Sequence, residues 1–222
     1  MSKHLVKILK TDFITHNVKR FVVEKPAGYS FVSGQAADVA INKPGLENEL
    51  RPFTFTSVNE ADYLEFIIKI YSGHNGVTKK LGLLTAGDEL ILYDVFGTIT
   101  YQGSGLYIAG GAGITPFISI FRKLKQQNNL AGNTLIFVNR TVDDVILQEE
   151  LQELLAENFI NVIEKSSDPS VPAKFIDRDL IKAYTGQQNE FYYICGPDTF
   201  TSVMNGYLED LGVAKSQIII EE

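Results

Sequence analysis

Apolar residues follow two different rhythms along this chain. From Val6 to about Tyr101 they gather in short runs, of which Phe21-Val22-Val23, Ala37 to Ile41, Leu64 to Ile70 and Glu89 to Tyr93 are the clearest. Turn residues separate them at Pro26-Ala27-Gly28, Ser33-Gly34, Lys43-Pro44-Gly45 and Ala86-Gly87-Asp88. Many short strands in one block predict an antiparallel β-barrel or sandwich, with helix expected only from about Val77 to Leu84. After Gly105 the rhythm changes. Strands at Thr134 to Val138, Phe159 to Ile163, Phe191 to Ile194 and Gln217 to Ile220 alternate with segments whose apolar residues recur on one helical face. Those faces carry Phe117, Ile118, Phe121 and Leu124, then Leu147, Leu151, Leu154 and Leu155, then Phe200, Val203, Met204, Tyr207, Leu208 and Leu211. Such alternation predicts a parallel sheet covered on both faces, and Gly212 is a natural left-handed stop for the last helix. The pattern therefore predicts two domains, an antiparallel all-β domain, barrel or sandwich, over residues 1–102 and an α/β parallel-sheet domain over residues 103–222, dividing within Tyr101-Gln102-Gly103-Ser104-Gly105.

Composition narrows the function classes. The 222 residues are 45% hydrophobic and 21% charged, as in a globular protein with an ordinary core. No apolar run suits a signal peptide or a bilayer span, so a cytoplasmic protein is expected, and a monomer. The net charge of −7 argues against nucleic acid, whose binding draws on clustered cations. Basic pairs occur at Lys19-Arg20, Lys79-Lys80 and Arg122-Lys123 and read as solvated surface charge. One cysteine, Cys195, excludes an internal disulfide and an all-cysteine iron–sulfur cluster. Histidines at 4, 16 and 74 have no metal-ligand spacing.

Three segments carry candidate chemistry. In Leu106-Tyr107-Ile108-Ala109-Gly110-Gly111-Ala112-Gly113-Ile114-Thr115-Pro116 an apolar strand meets a glycine turn and then a helix, with Thr115 expected as N-cap and Pro116 as the first helical residue. Glycines let backbone approach a ligand closely, and a helix N-terminus favours phosphate, although a turn that only packs has the same signature. Arg51-Pro52-Phe53-Thr54-Phe55-Thr56-Ser57 sets a guanidinium, rings and hydroxyls on one extended stretch. Strict alternation puts Arg51, Phe53 and Phe55 on one side and Thr54 and Thr56 on the other, unless the strand bends. This can grip phosphate and stack on a planar heterocycle, or it can be core phenylalanines beside a surface arginine. Gly76-Val77-Thr78, preceded by His74-Asn75, is a second helix start, read either as a phosphate site or as a plain capped loop.

The order Arg-x-aromatic-Ser/Thr, Gly-x-Ser/Thr, Gly-Gly-x-Gly-x-Thr-Pro, then Cys195-Gly196-Pro197 resembles the ferredoxin–NADP reductase superfamily, especially its small stand-alone members, over nearly the whole chain from Gly34-Gln35 onward. The resemblance implies an FAD-binding barrel followed by an NAD(P)-binding α/β domain. It implies that Arg51, beside Pro52, holds the flavin pyrophosphate, that Phe53 stacks on a ring of FAD and that Thr54 bonds flavin N5. Ile68 and Lys69 match the strand lining the flavin, and Gly76, Val77 and Thr78 match its phosphate loop. Gly111, Gly113, Ile114 and Thr115 would face the dinucleotide pyrophosphate, and Cys195, with Gly196 and Pro197, the nicotinamide C4. Thr54 and Cys195 would thus flank the hydride path. Arg140 and Lys165-Ser166 are candidate partners of a 2′-phosphate, with a lean toward NADPH over NADH. Family members commonly end in Glu plus an aromatic that covers the flavin; this sequence ends Ile220-Glu221-Glu222, leaving Phe96 as a candidate cover. The implied activity is hydride transfer from NAD(P)H to FAD, then single electrons to a separate carrier such as flavodoxin or ferredoxin, for which Lys79 and Lys80 could form a basic docking patch. A free-flavin reductase and a non-catalytic electron-relay or nucleotide-binding subunit are the alternative readings.

Overall fold

The computed structural model describes residues 3–73, 76–186 and 189–221. Its first half holds β1 (His4–Phe13), β2 (Val18–Glu24), β3 (Ala36–Ile41), β4 (Arg51–Thr54), β5 (Tyr63–Lys69), α1 (Val77–Leu81) and β6 (Glu89–Phe96). The strands form one antiparallel sheet in the order β4-β3-β6-β1-β2-β5. Closure comes just past β4, where Phe55 bridges Phe66 on β5 and Thr56 N donates to Glu65 O at 2.8 Å. The sheet thus becomes a nearly closed barrel, filled by Phe21, Phe55, Phe66, Leu64 and Leu90, with Phe31 stacked on Phe55 at 4.2 Å.

β1 has no place among the apolar runs because only Val6 and Ile8 face inward, while Leu5, Leu9 and Phe13 are exposed. α1 is five residues long, shorter than the expected span to Leu84. Its end is held by Lys19, whose Nζ donates to Gly82 O at 3.0 Å and Leu84 O at 2.6 Å while Val77 and Leu81 plug the barrel. Lys19 is therefore buried structure, not the solvated charge its sequence context suggests.

The second half runs β7 (Gly105–Gly110), α2 (Thr115–Gln126), β8 (Thr134–Asn139), α3 (Gln148–Leu155), β9 (Phe159–Ile163), α4 (Arg178–Tyr184), β10 (Phe191–Cys195), α5 (Asp198–Asp210) and β11 (Ile218–Ile220). All strand pairs are parallel, in the order β11-β10-β7-β8-β9. Period-two alternation sends Tyr107, Phe137 and Tyr193 to the layer under α2 and α3, and Leu106, Ile136 and Ile194 to the layer under α4 and α5. α4 is invisible to periodicity because only Leu180 and Ile181 are buried; Asp177 caps it, accepting from Leu180 N at 2.8 Å.

Val18 and Ile67, on the outside of the barrel, join the α2 layer, so the halves share a continuous apolar contact. The connecting segment 97–104 is pinned as well. Tyr193 Oη accepts from Gln102 N at 2.9 Å and Gly103 N at 3.1 Å and donates to Gly103 O at 2.8 Å.

Candidate active site

β7 ends at Gly110, and residues Gly111–Ile114 form a 3₁₀ turn that continues without a break into α2. Gly111 has φ +53°, a left-handed conformation that side chains resist. A Cβ on Gly113 would lie 2.3 Å from Cys195 O, so this glycine is what lets the turn rest on the end of β10. The expected cap is not formed. Ile114 is already helical, Thr115 is the first residue of α2 and Pro116 the second, and Thr115 Oγ1 donates to Ala112 O at 3.1 Å rather than accepting from the helix. The 3₁₀ turn is the reason, for it moves the start of helical geometry, with the unpaired N–H groups found there, back to Gly111.

A cleft of about 630 Å³ opens above this turn. Lys69 and Tyr71 line it from the barrel, facing Gly110 to Gly113, the β8 end at Val138-Asn139-Arg140, and the Gly196-Pro197 segment after β10. The cleft therefore unites Lys69, Gly111, Gly113, Arg140, Gly196 and Pro197 from the expected set. Other members are placed differently. The side chains of Ile68, Val77 and Ile114 lie in the cores, which leaves only their main chain to meet a ligand. Arg51 and Pro52 are exposed and Phe53 and Thr54 half-buried on β4, outside the cleft lining. Arg51 Nη1 donates to Leu50 O at 2.6 Å, and its Nη2 stands 3.7 Å from Glu49, so the guanidinium is held loosely at the surface. The expected alternation ends at Thr54. There the chain swings from β3 to β5, and Phe55 and Thr56 are both buried.

Gly76 and Thr78 are half-buried at the start of α1; His74 and Asn75 lie outside the described residues. Phe96 is exposed at the end of β6. Lys165 and Ser166 line a neighbouring surface pocket with Asp143 and Asp168, and Lys165 N donates to Arg140 O at 2.7 Å.

Cys195 is 9% exposed. Burial, with the Glu221 carboxylate adding to it, pushes its thiol up to about 12. The group is a neutral, small surface beside the glycine turn and has no thiolate to offer as base or nucleophile.

One residue of the cleft was hidden from sequence reasoning. Asn139, at the end of β8, is 3% exposed, and neither its Nδ2 nor its Oδ1 has a partner among the described residues. A buried amide left unpaired costs about 1 to 3 kcal/mol, which makes Asn139 the candidate in this cleft for a bond to a bound water or ligand. The only trace in the sequence is an amide closing the run Thr134 to Val138 before Arg140. An unpaired amide, a positive-φ glycine turn and a flanking arginine suit a dinucleotide, which brings hydroxyls as well as phosphates.

A family model for an FAD-binding domain matches residues 3–88, and one for an oxidoreductase NAD-binding domain matches residues 107–205. The chain belongs to the ferredoxin–NADP reductase-like family of FAD- and NAD-binding oxidoreductases. This reductase is 31% identical to NADH-cytochrome b5 reductase 1 of Neosartorya fischeri, over 94% of the chain and 74% of that protein. It is 30% identical to the reductase component of propane 2-monooxygenase from Rhodococcus jostii, over 91% of the chain but 58% of that longer protein. Its fold matches a ferredoxin NADP+ reductase from Neisseria gonorrhoeae, solved with bound FAD and NADP, at a TM-score of 0.86 and 21% identity, covering 100% and 98% of the two chains. The reductase is an NAD(P)H-dependent flavoprotein with FAD and a nicotinamide dinucleotide as its cofactors. It carries electrons from NAD(P)H to FAD.

Proposed function

We propose that this reductase draws electrons from NADH and delivers them singly to a separate carrier protein. The observation that carries the reading is the cleft in which Lys69 and Tyr71 of the barrel face the glycine turn and Pro197, because hydride transfer needs the nicotinamide and flavin rings in near contact. The barrel supplies Arg51 for the flavin pyrophosphate, Phe53 for ring stacking, Thr54 for flavin N5, and the main chain of Gly76, Val77 and Thr78 for phosphate. The α/β half supplies Gly111, Gly113 and Thr115 for the dinucleotide pyrophosphate and Cys195 as a neutral wall at the nicotinamide. Asn139 takes a ribose hydroxyl, since an amide both donates and accepts and a phosphate only accepts. FAD supplies the hydride-accepting ring; the protein orients it and keeps water out. The division between the halves is set at residues 102 and 103, inside the segment 97–104.

NADH is preferred over NADPH because Asp144 and Glu164 line the cleft beside Arg140, and two carboxylates around one guanidinium oppose a 2′-phosphate. The similarity to reductases named for NADH points the same way. Flavodoxin, ferredoxin and cytochrome-type carriers are the candidate acceptors. Against a chain of net charge −7, the Lys79-Lys80 pair on α1 is a basic spot that could receive an acidic carrier. No described helix is long and apolar enough to cross a membrane, which is compatible with a cytoplasmic site of action.

Anaerobic titration of the purified yellow protein with NADH and NADPH, followed by addition of each carrier, tests the reading. NADH should bleach the flavin at lower concentration than NADPH, and a one-electron carrier should restore the colour. A colourless protein that reduces only added flavin would support a free-flavin reductase instead.

A further inference from the structure

α2 does more than present the glycine turn at its N-terminus. One turn in, the fully buried Ser119 donates its Oγ to Ser57 O at 2.8 Å. A turn later, Arg122 Nη1 donates to Thr56 O at 2.9 Å and to Glu65 Oε1 at 2.6 Å, while its Nε and Nη2 take both oxygens of Glu150 at 2.6 and 2.8 Å. Thr56 Oγ1 donates to the same Glu65 Oε1 at 2.7 Å, and Ser57 Oγ accepts from Glu65 N at 3.0 Å. Thr56 and Ser57 close the segment that begins at Arg51, and they lie two and three residues past Thr54. One rigid helix, with a rise of about 1.5 Å per residue, thus joins the glycine turn to the main chain of the flavin segment within about 10 Å of helix length.

We propose that Ser119 and Arg122 are positioning residues for hydride transfer: by holding the carbonyls of Thr56 and Ser57 they fix the offset between the barrel's flavin segment and the dinucleotide turn. Adhesion alone does not require them, since Val18 and Ile67 already join the α2 layer. A partly buried ion pair is commonly no more stabilising than well-packed apolar residues, and its directional bonds serve geometry better than adhesion. Arg122 reaches the barrel with directed bonds to one carbonyl and one carboxylate oxygen, and Ser119 fixes the next carbonyl, so sliding or rotation of one half against the other breaks several bonds at once. The inference rests on the proposal that the Arg51 to Ser57 segment carries the flavin.

The test compares wild type, Ser119→Ala, Arg122→Lys and the double variant Arg122→Met/Glu65→Leu. The readouts are the affinity for NAD+, the long-wavelength charge-transfer absorbance of the flavin–dinucleotide complex, the anaerobic rate of flavin reduction at saturating NADH, and the thermal midpoint. A displacement near 1 Å can cost about a hundredfold in rate, so the double variant should lose about thirtyfold or more in reduction rate. Its charge-transfer band should fade while NAD+ affinity stays within about twofold. Arg122→Lys, which keeps the charge and one donor direction, should recover part of both signals. Equal bands and rates in wild type and the double variant, with only the thermal midpoint lowered, would reduce the cluster to adhesion and overturn the proposal. If the double variant does not fold, Ser119→Ala decides the question on the same readouts through the loss of a single hydroxyl. Wild-type flavin that NADH does not bleach overturns the functional reading itself, an outcome separable from a failure of positioning alone.

Discussion

The two sides of the seam between the halves are built on opposite principles. On the α2 side, Ser119, Arg122, Thr56, Ser57, Glu65 and Glu150 are joined to one another by short bonds. On the cleft side, the amide of Asn139 is buried with no partner among the described residues, and Gly111 holds a left-handed turn that glycine takes without strain, with open space over it. Saturated polar groups hold a geometry, whereas unsaturated ones wait for something to complete them. The same sheet and the same barrel provide both.

That contrast can be broken most severely from the saturated side. Glu65→Leu alone leaves one N–H of Arg122 Nη1 and the Thr56 hydroxyl without their acceptor while Thr56 O and Glu150 still hold the guanidinium, and the loss of these buried charge-assisted bonds should cost about 3 kcal/mol in urea unfolding. The matched Arg122→Met/Glu65→Leu change should cost clearly less, and equal losses would mean the pair is not coupled. A smaller loss, about 2 kcal/mol, is expected for Gly113→Ala, whose Cβ would meet Cys195 O at 2.3 Å. Dinucleotide binding should fall with it, because the clash drives the turn away from β10; calorimetric titration with NAD+ on the folded variant checks this.

On the unsaturated side the sign reverses. Asn139→Leu should raise the stability of the ligand-free protein by about 1 kcal/mol and weaken NAD+ binding about tenfold, since an unpaired buried amide is a cost that only a ligand offsets. A variant that is less stable and binds normally would show Asn139 to be ordinary core. The smallest effect is at Cys195. Its thiol is raised by burial from 9.0 to about 12 in the folded protein. The stabilisation tied to that neutral thiol is intact below about pH 9 and is lost as pH climbs toward about 12, because the unfolded chain releases its proton first. Thermal midpoints of Cys195→Ala should therefore decline less between pH 9 and 11 than those of wild type.

How much of this was legible depended on whether a residue's role is local. The change of rhythm near Gly105 marks the switch from barrel to parallel sheet because strand and helix periods are properties of a few consecutive residues. β1 and α4 escaped because their sequences give weak period signals, with Leu5, Leu9 and Phe13 exposed on one and two buried residues on the other. That Gly111, Gly113, Gly196 and Pro197 come together to line one cleft could be anticipated from the chain, because each sits directly after an apolar strand. The cap at Thr115 could not, since its motif does not distinguish a helix start from a 3₁₀ lead-in. Arg122 looked like one of a solvated basic pair with Lys123, yet both reach across the seam, Lys123 to Glu60 at 2.5 Å. Partners 57 and 63 residues distant are set by topology, which no window of sequence contains.

The tyrosine that pins residues 102 and 103 has a consequence for anyone recombining such modules. Because Tyr193 stands on β10, two positions before Cys195, the bridge joining barrel to sheet is stitched to a central strand of the downstream module rather than left as a loose tether. A chimaera that exchanged either module would inherit a working junction only if this phenol and the two amides it clasps travelled together.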